Sequence, residues 1–209
     1  MELISVQAVK HPKLLLYLSE QGLQPSDVSP FLSEVYYRVS EKCFFALGFP
    51  NDAGGWELRN PYFKGCFAPK AITTIKGTDS HKLQLFEGFI DFLSWRKLHP
   101  EGQADSIMLN SLTLLPKLIP TLHPYPIIES LLDNDEAGDR ATKQLFDAGL
   151  PVKDMRACYA PYKDVNEYLV QRLQGKKISP PARGDCVDKA ESSAPRSLKA
   201  NLEISMSQV

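Results

Sequence analysis

The feature that most constrains this 209-residue chain is an alternation of strand-like and helical patterns between Lys82 and about Leu169. Short apolar runs of strand length are each followed by a segment with apolar residues at helical spacing. The four pairs are KLQLF with FIDFLSWRKL, SIML with SLTLLPKLI, PIIESLL with EAGDRATKQLFDAG, and MRACY with DVNEYLVQRL. This alternation predicts an α/β fold in which helices flank a mostly parallel sheet.

The residues before this region follow other patterns. Residues 13 to 33 have apolar residues at helical spacing, interrupted at Gly22, and predict a helical hairpin. Between Val35 and Thr74, short runs rich in Val, Tyr and Phe alternate with turn signals, which predicts a small antiparallel sheet. We expect an α+β subdomain over residues 1–80 and an α/β domain over residues 81–174. Residues 175–209, rich in Ser, Pro and Lys, predict a disordered tail.

Composition excludes several classes of protein. No apolar run approaches the ~18 residues that span a membrane, and the first residues lack a signal-peptide pattern. We therefore expect a cytoplasmic protein with no membrane partner. The four cysteines are scattered and include no Cys-x-x-Cys pair, so we expect no zinc site. Because the net charge is only -1, any nucleic-acid-binding surface must be a local patch.

Charged residues follow three of the four predicted strands of the α/β region. They are Glu87, then Asp133 with Asp135, then Lys163 with Asp164. The carboxyl ends of parallel strands share one sheet edge, where α/β proteins place their sites. Two carboxylates 4 Å apart repel by roughly 1 kcal/mol in water and by more where water is excluded. A divalent cation turns this repulsion into attraction, and hard oxygen ligands favour Mg²⁺ or Mn²⁺.

The segment DNDEAG also fits a simpler interpretation. An Asp that precedes a helix is a frequent N-cap, so the same acids can serve only to start a helix. A calcium loop of the helix-loop-helix kind requires an acid or Asn at Ala137 and a Glu at Gln144, and the chain has neither. A metal site and a helix cap therefore remain the two interpretations of these acids.

Taken in order, the motifs resemble the Toprim domain shared by bacterial primases, topoisomerases and some nucleases. LFEGFIDFLS is followed about 40 residues later by LLDNDEAGDRA and then by YKDVNEYL. Gly88, Asp91, the Ala-Gly after the Asp-x-Asp and the downstream Lys-Asp-x-x-Glu are similar to primase usage. Upstream, YYRVSEKCFFALGFPNDAGGWELRNP and APKAIT resemble the subdomain that precedes Toprim in primases and in mobile-element proteins. The resemblance covers about residues 13 to 170.

This resemblance implies roles for individual residues. It implies Glu87 as general acid/base or metal partner, and Asp133 and Asp135 as catalytic ligands of Mg²⁺ or Mn²⁺ that activates an attacking 3′-hydroxyl. It implies Asp164 as a further metal ligand. The implied phosphate or nucleotide contacts are Gly88, Gly138 and Lys163. Asn166 departs from the primase pattern KDPDE, which has an acid at this position.

The implied activity is metal-dependent nucleotidyl transfer, in which nucleoside triphosphates are joined into an RNA primer on single-stranded DNA. Phosphodiester cleavage, as in Toprim nucleases, and non-catalytic binding of DNA or a partner are the alternatives. No cysteine set here could form the zinc module of bacterial primases, and we expect no counterpart of their helicase-binding domain. We therefore expect a truncated or mobile-element primase-like protein that works with a helicase or a separate zinc-module protein.

Basic and aromatic residues are interleaved in the predicted antiparallel sheet. This mixture suits contact with a nucleic-acid backbone and stacking on bases, but the solvated face of a half-buried sheet has the same composition. The resemblance favours Arg59 and Lys70, which fall where primases place basic residues near template or nucleotide, and Lys64 belongs to the same set. The full basic set is Arg38, Lys42, Arg59, Lys64, Lys70 and Lys76.

Overall fold

The computed structural model describes residues 1–175 and contains two five-stranded sheets. The first sheet is antiparallel, and its strands lie side by side in sequence order. They are β1 (Glu2–Gln7), β2 (Ser33–Val39), β3 (Lys42–Pro50), β4 (Trp56–Asn60) and β5 (Phe63–Phe67). Strand β1 was not predicted, because all of its residues are exposed and it lacks a buried face. The predicted tail, except for its first residue, lies outside the described residues.

Two short helices connect β1 to β2, as the helical hairpin predicts. They are α1 (Pro12–Glu20) and α2 (Pro25–Val28), and both begin with a proline, whose missing N–H is not needed in a first helical turn. The side chain of His11 caps α1 by accepting a hydrogen bond from the Lys13 N–H. Gly22, with a φ of 70°, reverses the chain after α1.

The second sheet is mostly parallel. Its strands are β6 (Thr73–Ile75), β7 (Asp79–Phe86), β8 (Ala104–Met108), β9 (Ile127–Leu131) and β10 (Val152–Asp154), in the spatial order β10-β9-β7-β8-β6. Only β6 is antiparallel to its neighbour. The helices of this part are α3 (Phe89–Leu98), α4 (Leu115–Leu122), α5 (Glu136–Asp147) and α6 (Val165–Leu173). The predicted fold class is thus confirmed. Along residues 1–175, every helix is too short or too polar to cross a membrane.

Two segments differ from their predicted structure. MRACY, predicted as the fourth strand, follows β10 and contains the 3₁₀ turn Arg156–Cys158. The chain turns there because the carboxylate of Asp154 accepts hydrogen bonds from both the backbone and the guanidinium of Arg156. Thr74, predicted at the end of the first sheet, instead pairs with Ile107 in the second.

A continuous hydrophobic core joins the two parts of the chain. Leu14 and Leu18 of α1 and Phe49 of β3 pack with Phe86 of β7 and Phe92 of α3. The core crosses the predicted domain boundary at residue 80, and that boundary stays a prediction. Because neighbouring residues of a strand point to opposite faces, Leu83 and Leu85 of β7 face away from Phe86. They lie in a second core under α4 and α5.

Candidate active site

A cleft open to solvent lies at the carboxyl edge of the second sheet, between this edge and the first sheet. The second sheet and its helices provide one wall, here called the acidic wall, and the β4–β5 hairpin provides the other, the hairpin wall. The cleft-lining residues of the acidic wall are Glu87, Gly88, Phe89, Ile90, Asp91, Asn110, Asp133, Lys163 and Asp164. Those of the hairpin wall are Glu57, Leu58, Arg59, Lys64 and Gly65.

Glu87 follows β7 directly, as the sequence predicts, and it is partly buried in the cleft. Burial raises the pKa of Glu87, and the carboxylates of Asp133 and Asp135 raise it further, whereas Lys64 and Lys163 oppose this shift. Its Oε2 atom is buried and has no hydrogen-bond partner. An acceptor in this state is available to a metal ion or to a ligand hydroxyl.

Asp133 lies two residues after β9 and comes close to Lys163. The Lys163 Nζ atom is 3.2 Å from Asp133 Oδ2 and 3.8 Å from Asp135 Oδ2. Burial raises the pKa of Asp133, and the Asp164 carboxylate adds to this rise, whereas Lys163 opposes it. The position of Lys163 is fixed by Asn134, whose N–H and side-chain amide donate to the carbonyls of Lys163 and Tyr162 at 2.6 and 2.8 Å.

Asp135 combines both interpretations that its sequence allows. Its Oδ1 atom caps α5 by accepting hydrogen bonds from the N–H groups of Ala137 and Gly138, each at 3.0 Å. These bonds, first of all that from Gly138, lower the pKa of Asp135. Its Oδ2 atom faces Lys163. One carboxylate can therefore cap a helix with one oxygen and take part in a charged site with the other.

Asp164 and Asp91 add two carboxylates to the acidic wall. Asp164 caps α6, since its Oδ1 accepts a hydrogen bond from the Glu167 N–H at 2.7 Å. Asp91, in the first turn of α3, is half-buried and lines the cleft. Burial raises the pKa of Asp91 well above its usual value, and Asp164 and Asp133 add to this rise. The sequence analysis assigned Asp91 no role beyond its place in the Toprim-like motif. In the structure, its carboxylate interacts with those of Asp164 and Asp133.

Asn166 lies where the primase pattern has an acid, and only its backbone contacts the acids, because its N–H donates to Asp91 Oδ1 at 3.2 Å. Its side-chain amide donates to the carbonyl of Gln21 and the hydroxyl of Ser94, at 2.8 and 2.9 Å. It thus ties the end of α1 to α3 and α6, and it offers no ligand to the cleft.

The donor set fits a hard divalent ion. In residues 1–175, no three His, Cys, Asp or Glu side chains form a preassembled metal-binding group. Mg²⁺, however, keeps several waters and uses only one or two carboxylates together with substrate phosphates. The partnerless Oε2 of Glu87 and the mutual repulsion of the cleft acids match that requirement.

The hairpin wall carries charge on one face of the β4–β5 pair. Glu57 and Arg59 are two residues apart on β4 and so share a face, and across the pair they oppose Cys66 and Lys64. Arg59 Nε donates to the hydroxyl of Tyr17 at 3.2 Å. Arg59 and Lys64 therefore lie opposite the acids. Among the described residues, Lys70 is not part of the cleft lining, and its ammonium forms an ion pair with Glu57.

The two predicted glycines play different structural parts. Gly88 lines the cleft at the start of α3, and a Cβ there would meet only Asp91 Oδ2 at 3.8 Å. Gly138 does not line the cleft, and a Cβ there would lie 2.0 Å from the Asp133 carbonyl oxygen. Gly138 thus allows the first turn of α5 to pack directly on the backbone of Asp133.

Glu57 and Asn110 are cleft residues that the sequence analysis did not identify. Asn110 follows β8, and its N–H donates to the Glu87 carbonyl at 2.9 Å. The strand-end rule, applied also to the second strand, would have found it. Glu57 had no such signal, because a single acid within a strand is typical of an exposed strand face.

Comparisons with known proteins agree with this architecture. Residues 84–169 match a family model described as Toprim-like, and residues 3–68 match a domain of unknown function (DUF8464). None of the curated proteins matches the chain.

Three solved structures with a similar fold are primase structures. The primase fragment of the bacteriophage T7 primase-helicase protein is 18% identical, with a TM-score of 0.54 over 77% of this chain and 70% of that one. A second T7 structure contains primase domains bound to an RNA/DNA hybrid and dTTP, in a complex with the lagging-strand DNA polymerase. These domains are also 18% identical, with a TM-score of 0.54 over 76% of this chain and 84% of that one. The zinc-binding and RNA polymerase domains of the Aquifex aeolicus primase are 16% identical, with a TM-score of 0.54 over 81% of this chain and 56% of that one.

Proposed function

Because residues 84–169 form a Toprim-like domain and the chain has the fold of primase fragments, we propose that it is a metal-dependent nucleotidyltransferase that makes primers on single-stranded DNA. The observation that carries this proposal is the cleft with a carboxylate-rich wall opposite Arg59 and Lys64. Transfer of a nucleotidyl group is catalysed mainly by positioning and by neutralisation of phosphate charge. A cleft with metal-binding oxygens on one side and cations on the other supplies both.

Asp133 would hold the Mg²⁺ or Mn²⁺ ion, with Asp135 Oδ2 beside it and Asp164 as the next carboxylate, which leaves Glu87 to act as the general base. When bound, the ion neutralises phosphate charge and lowers the pKa of the attacking 3′-hydroxyl. Glu87 accepts the hydroxyl proton at Oε2, an atom that has no hydrogen-bond partner among residues 1–175. The burial that raises the pKa of Glu87 also makes its carboxylate a stronger base.

The phosphates would bind to cations and backbone N–H groups around the cleft. The first residues of α3, from Gly88 to Ile90, line the cleft, and no side chain caps this helix. The N–H groups at the start of a helix attract anions. Lys163 extends from the acidic wall, and Arg59 and Lys64 approach from the hairpin wall. These groups would hold the triphosphate and the template backbone.

The proposal includes partners and a location. The T7 neighbour is part of a primase-helicase protein, and the Aquifex neighbour includes a zinc-binding domain. We propose that this chain likewise acts with a helicase or with a separate zinc-module protein. Its proposed substrates, nucleoside triphosphates and single-stranded template, are found in the cytoplasm, where we propose that it works.

The test is a primer-synthesis assay with single-stranded DNA, the four ribonucleoside triphosphates, and either Mg²⁺, Mn²⁺ or a chelator. The proposal predicts short RNA products that require the metal, and a rate at least about a hundredfold lower for Glu87→Gln. Asp139→Asn is the matched control. Asp139 is an exposed acid in the first turn of α5 that pairs with Arg156 and does not line the cleft, so this variant should retain the activity.

The same reactions distinguish the alternatives. Metal-dependent shortening of the template without RNA products would indicate a nuclease and contradict primer synthesis. Binding of single-stranded DNA with neither synthesis nor cleavage, also in the presence of a helicase and a zinc-module protein, would indicate a non-catalytic protein.

A further inference from the structure

Unpartnered buried acceptor atoms are concentrated in the cleft. In the described part of the chain, five buried side-chain nitrogen or oxygen atoms have no hydrogen-bond partner. Three of them, Glu57 Oε1, Glu87 Oε2 and Asn110 Oδ1, belong to residues that line this cleft. Buried acceptors without a partner are rare and costly in folded proteins. The proposed metal and the substrate hydroxyl account for Glu87, but they leave Glu57 and Asn110 without a partner.

An ion pair with Lys70 holds the side chain of Glu57 in place. Its side chain is 8% exposed, its Oε2 atom accepts from the Lys70 ammonium, and its Oε1 atom is buried without a partner among residues 1–175, in a residue that lines the cleft. Cys66 lies opposite Glu57 across the strand pair, and burial followed by the Glu57 carboxylate raises the pKa of the Cys66 thiol, but a thiol is only a weak donor, and this one also lies 3.8 Å from the Pro69 carbonyl oxygen. Because Lys70 donates to Oε2, the other oxygen of Glu57, Oε1, is left to act as a hydrogen-bond acceptor.

Asn110 is fixed in the same way. Its side-chain NH₂ donates to the Ala71 carbonyl at 2.9 Å and to the Thr73 hydroxyl at 3.1 Å. Since a carbonyl can only accept, the NH₂ group must face Ala71, and Oδ1 remains without a partner. The residue has a φ of 59°, a conformation that Asn adopts more easily than most residues. Its orientation is therefore set by its neighbours and not by a ligand.

We propose that Glu57 and Asn110 accept hydrogen bonds from the sugar hydroxyls of the bound nucleotide and thereby select ribonucleotides over deoxyribonucleotides. This inference rests on the proposed function. A ligand that satisfies these two atoms must donate, and a phosphate has no donor at neutral pH and is repelled by Glu57. Amino groups differ among the bases, whereas the 2′- and 3′-hydroxyls are present in every ribonucleotide. The cations that suit the phosphates, Arg59 and Lys64, lie on the same wall as Glu57.

The test measures nucleotide binding, not turnover. Affinities for the four ribonucleoside triphosphates and their 2′-deoxy and 3′-deoxy forms are measured by calorimetry with Mg²⁺ on the whole chain. Because a hydrogen bond to a charged or buried acceptor stabilises a complex, the wild type should bind the ribonucleotides at least about tenfold more tightly than their deoxy forms. In Glu57→Gln, the amide oxygen turns to Lys70 and its NH₂ faces the cleft, so an acceptor becomes a donor. This variant should lose most of the preference while it still binds deoxynucleotides.

Two further variants complete the experiment. Asn110→Gly removes the second acceptor at a φ that glycine adopts freely, and it should reduce the preference in the same direction. Glu129→Gln is the matched control, because Glu129 is equally buried but is paired with Lys82 and Gln84 and does not line the cleft. It should keep the preference of the wild type. Thermal melts of all variants verify that each is folded.

The possible outcomes distinguish a failure of the sugar-binding inference from a failure of the proposed function. If the wild type binds ribo- and deoxynucleotides equally, or if Glu57→Gln and Asn110→Gly keep its preference, the sugar-binding inference is wrong and the proposed function is unaffected. A changed preference among the bases, with the sugar preference intact, would also overturn it. If the wild type binds no nucleotide of either kind, the proposed function itself fails.

Discussion

The acidic wall of the cleft is built from the ends of strands and helices, whereas the hairpin wall is built from the face of two paired strands. On the acidic wall, Glu87 and Asp133 follow parallel strands, and Asp135 and Asp164 cap helices. On the hairpin wall, Glu57, Arg59 and Lys64 share a face because side chains alternate along each strand. The first arrangement depends on the topology of the sheet, and the second depends on the register of one hairpin.

The two walls also differ in how their charges are balanced. Burial and mutual repulsion raise the pKa values of Glu87, Asp91 and Asp133 on the acidic wall, where Lys163 is the nearby cation. On the hairpin wall, the single carboxylate of Glu57 is paired with Lys70. The acidic wall therefore carries unbalanced negative charge that an added cation relieves, whereas on the hairpin wall the carboxylate is already paired and Arg59 and Lys64 add positive charge.

The largest expected effect on stability sharpens this contrast on the hairpin wall. Lys70→Met leaves the carboxylate of Glu57 buried without its counter-ion, and unfolding experiments in urea should show a loss of about 2–3 kcal/mol, somewhat below the cost for a fully enclosed pair. Lys64→Met should cost little stability, because Lys64 forms no ion pair with any residue from 1 to 175, yet it should weaken binding of single-stranded DNA and reduce its salt dependence. Equal stability of the two variants would contradict the structural role of Lys70.

A somewhat smaller effect is expected for the backbone of the acidic wall. Gly138→Ala places a methyl group against the Asp133 carbonyl, and the forced shift should cost about 1–3 kcal/mol of unfolding free energy. It should also impair primer synthesis, because Asp133 moves. Gly88→Ala is the control, since a Cβ there meets no atom closer than 3.8 Å. If both alanine variants are equally stable, close packing of α5 on Asp133 is not a constraint.

The charge imbalance of the acidic wall predicts a pH dependence. Since the pKa of folded Asp133 is raised above its ordinary value of 3.8, the folded state binds this proton more tightly than the unfolded state does. The resulting stabilisation is present below about pH 3.8 and is lost as the pH rises through the raised pKa. In chelator, wild type should therefore lose stability relative to Asp133→Asn as the pH rises from about 4 to about 8. A stability difference that does not change with pH would contradict this imbalance.

The smallest expected effect concerns Lys163, which occupies a cation position between Asp133 and Asp135. An ion pair with a lysine that is 58% exposed is worth less than about 1 kcal/mol. Lys163→Met should therefore raise the affinity for Mn²⁺ by up to about fivefold, because the metal no longer competes with the ammonium. Calorimetric titration with Mn²⁺ measures this change, and a weaker affinity would show that Lys163 does not compete with the ion.

The sequence predicted the acidic wall more completely than the hairpin wall, for a physical reason. The alternation of strands and helices brings strand ends to one edge in any parallel sheet, so the neighbourhood of Glu87 and Asp133 follows from the pattern alone. The roles of Lys64 and Lys70 depend instead on which way each side chain points and on the partner it finds. Their spacing along the chain does not reveal that Lys64 lines the cleft while Lys70 forms an ion pair with Glu57.

Similar reasons explain the remaining differences. MRACY has the composition of a strand, but the hydrogen bonds between Asp154 and Arg156 turn the chain before it can pair. The inward orientation of Asn166 depends on Gln21, which is 145 residues away in sequence. Contacts over such separations leave no signal in a local pattern.

Metal-dependent catalysis by this protein requires that the acidic wall binds a metal ion, and thermal melts of three proteins test this directly. Wild type, Asp133→Asn and Asp139→Asn are melted with millimolar Mg²⁺ or Mn²⁺ and with chelator. Wild type and Asp139→Asn should each gain roughly 1–3 kcal/mol when the ion exceeds its Kd by about ten- to a hundredfold, a rise of several degrees in Tm. Asp133→Asn should gain almost nothing. If the metal shifts all three proteins equally, or shifts none of them, the acids after β9 only cap a helix and the case for metal-dependent catalysis is lost.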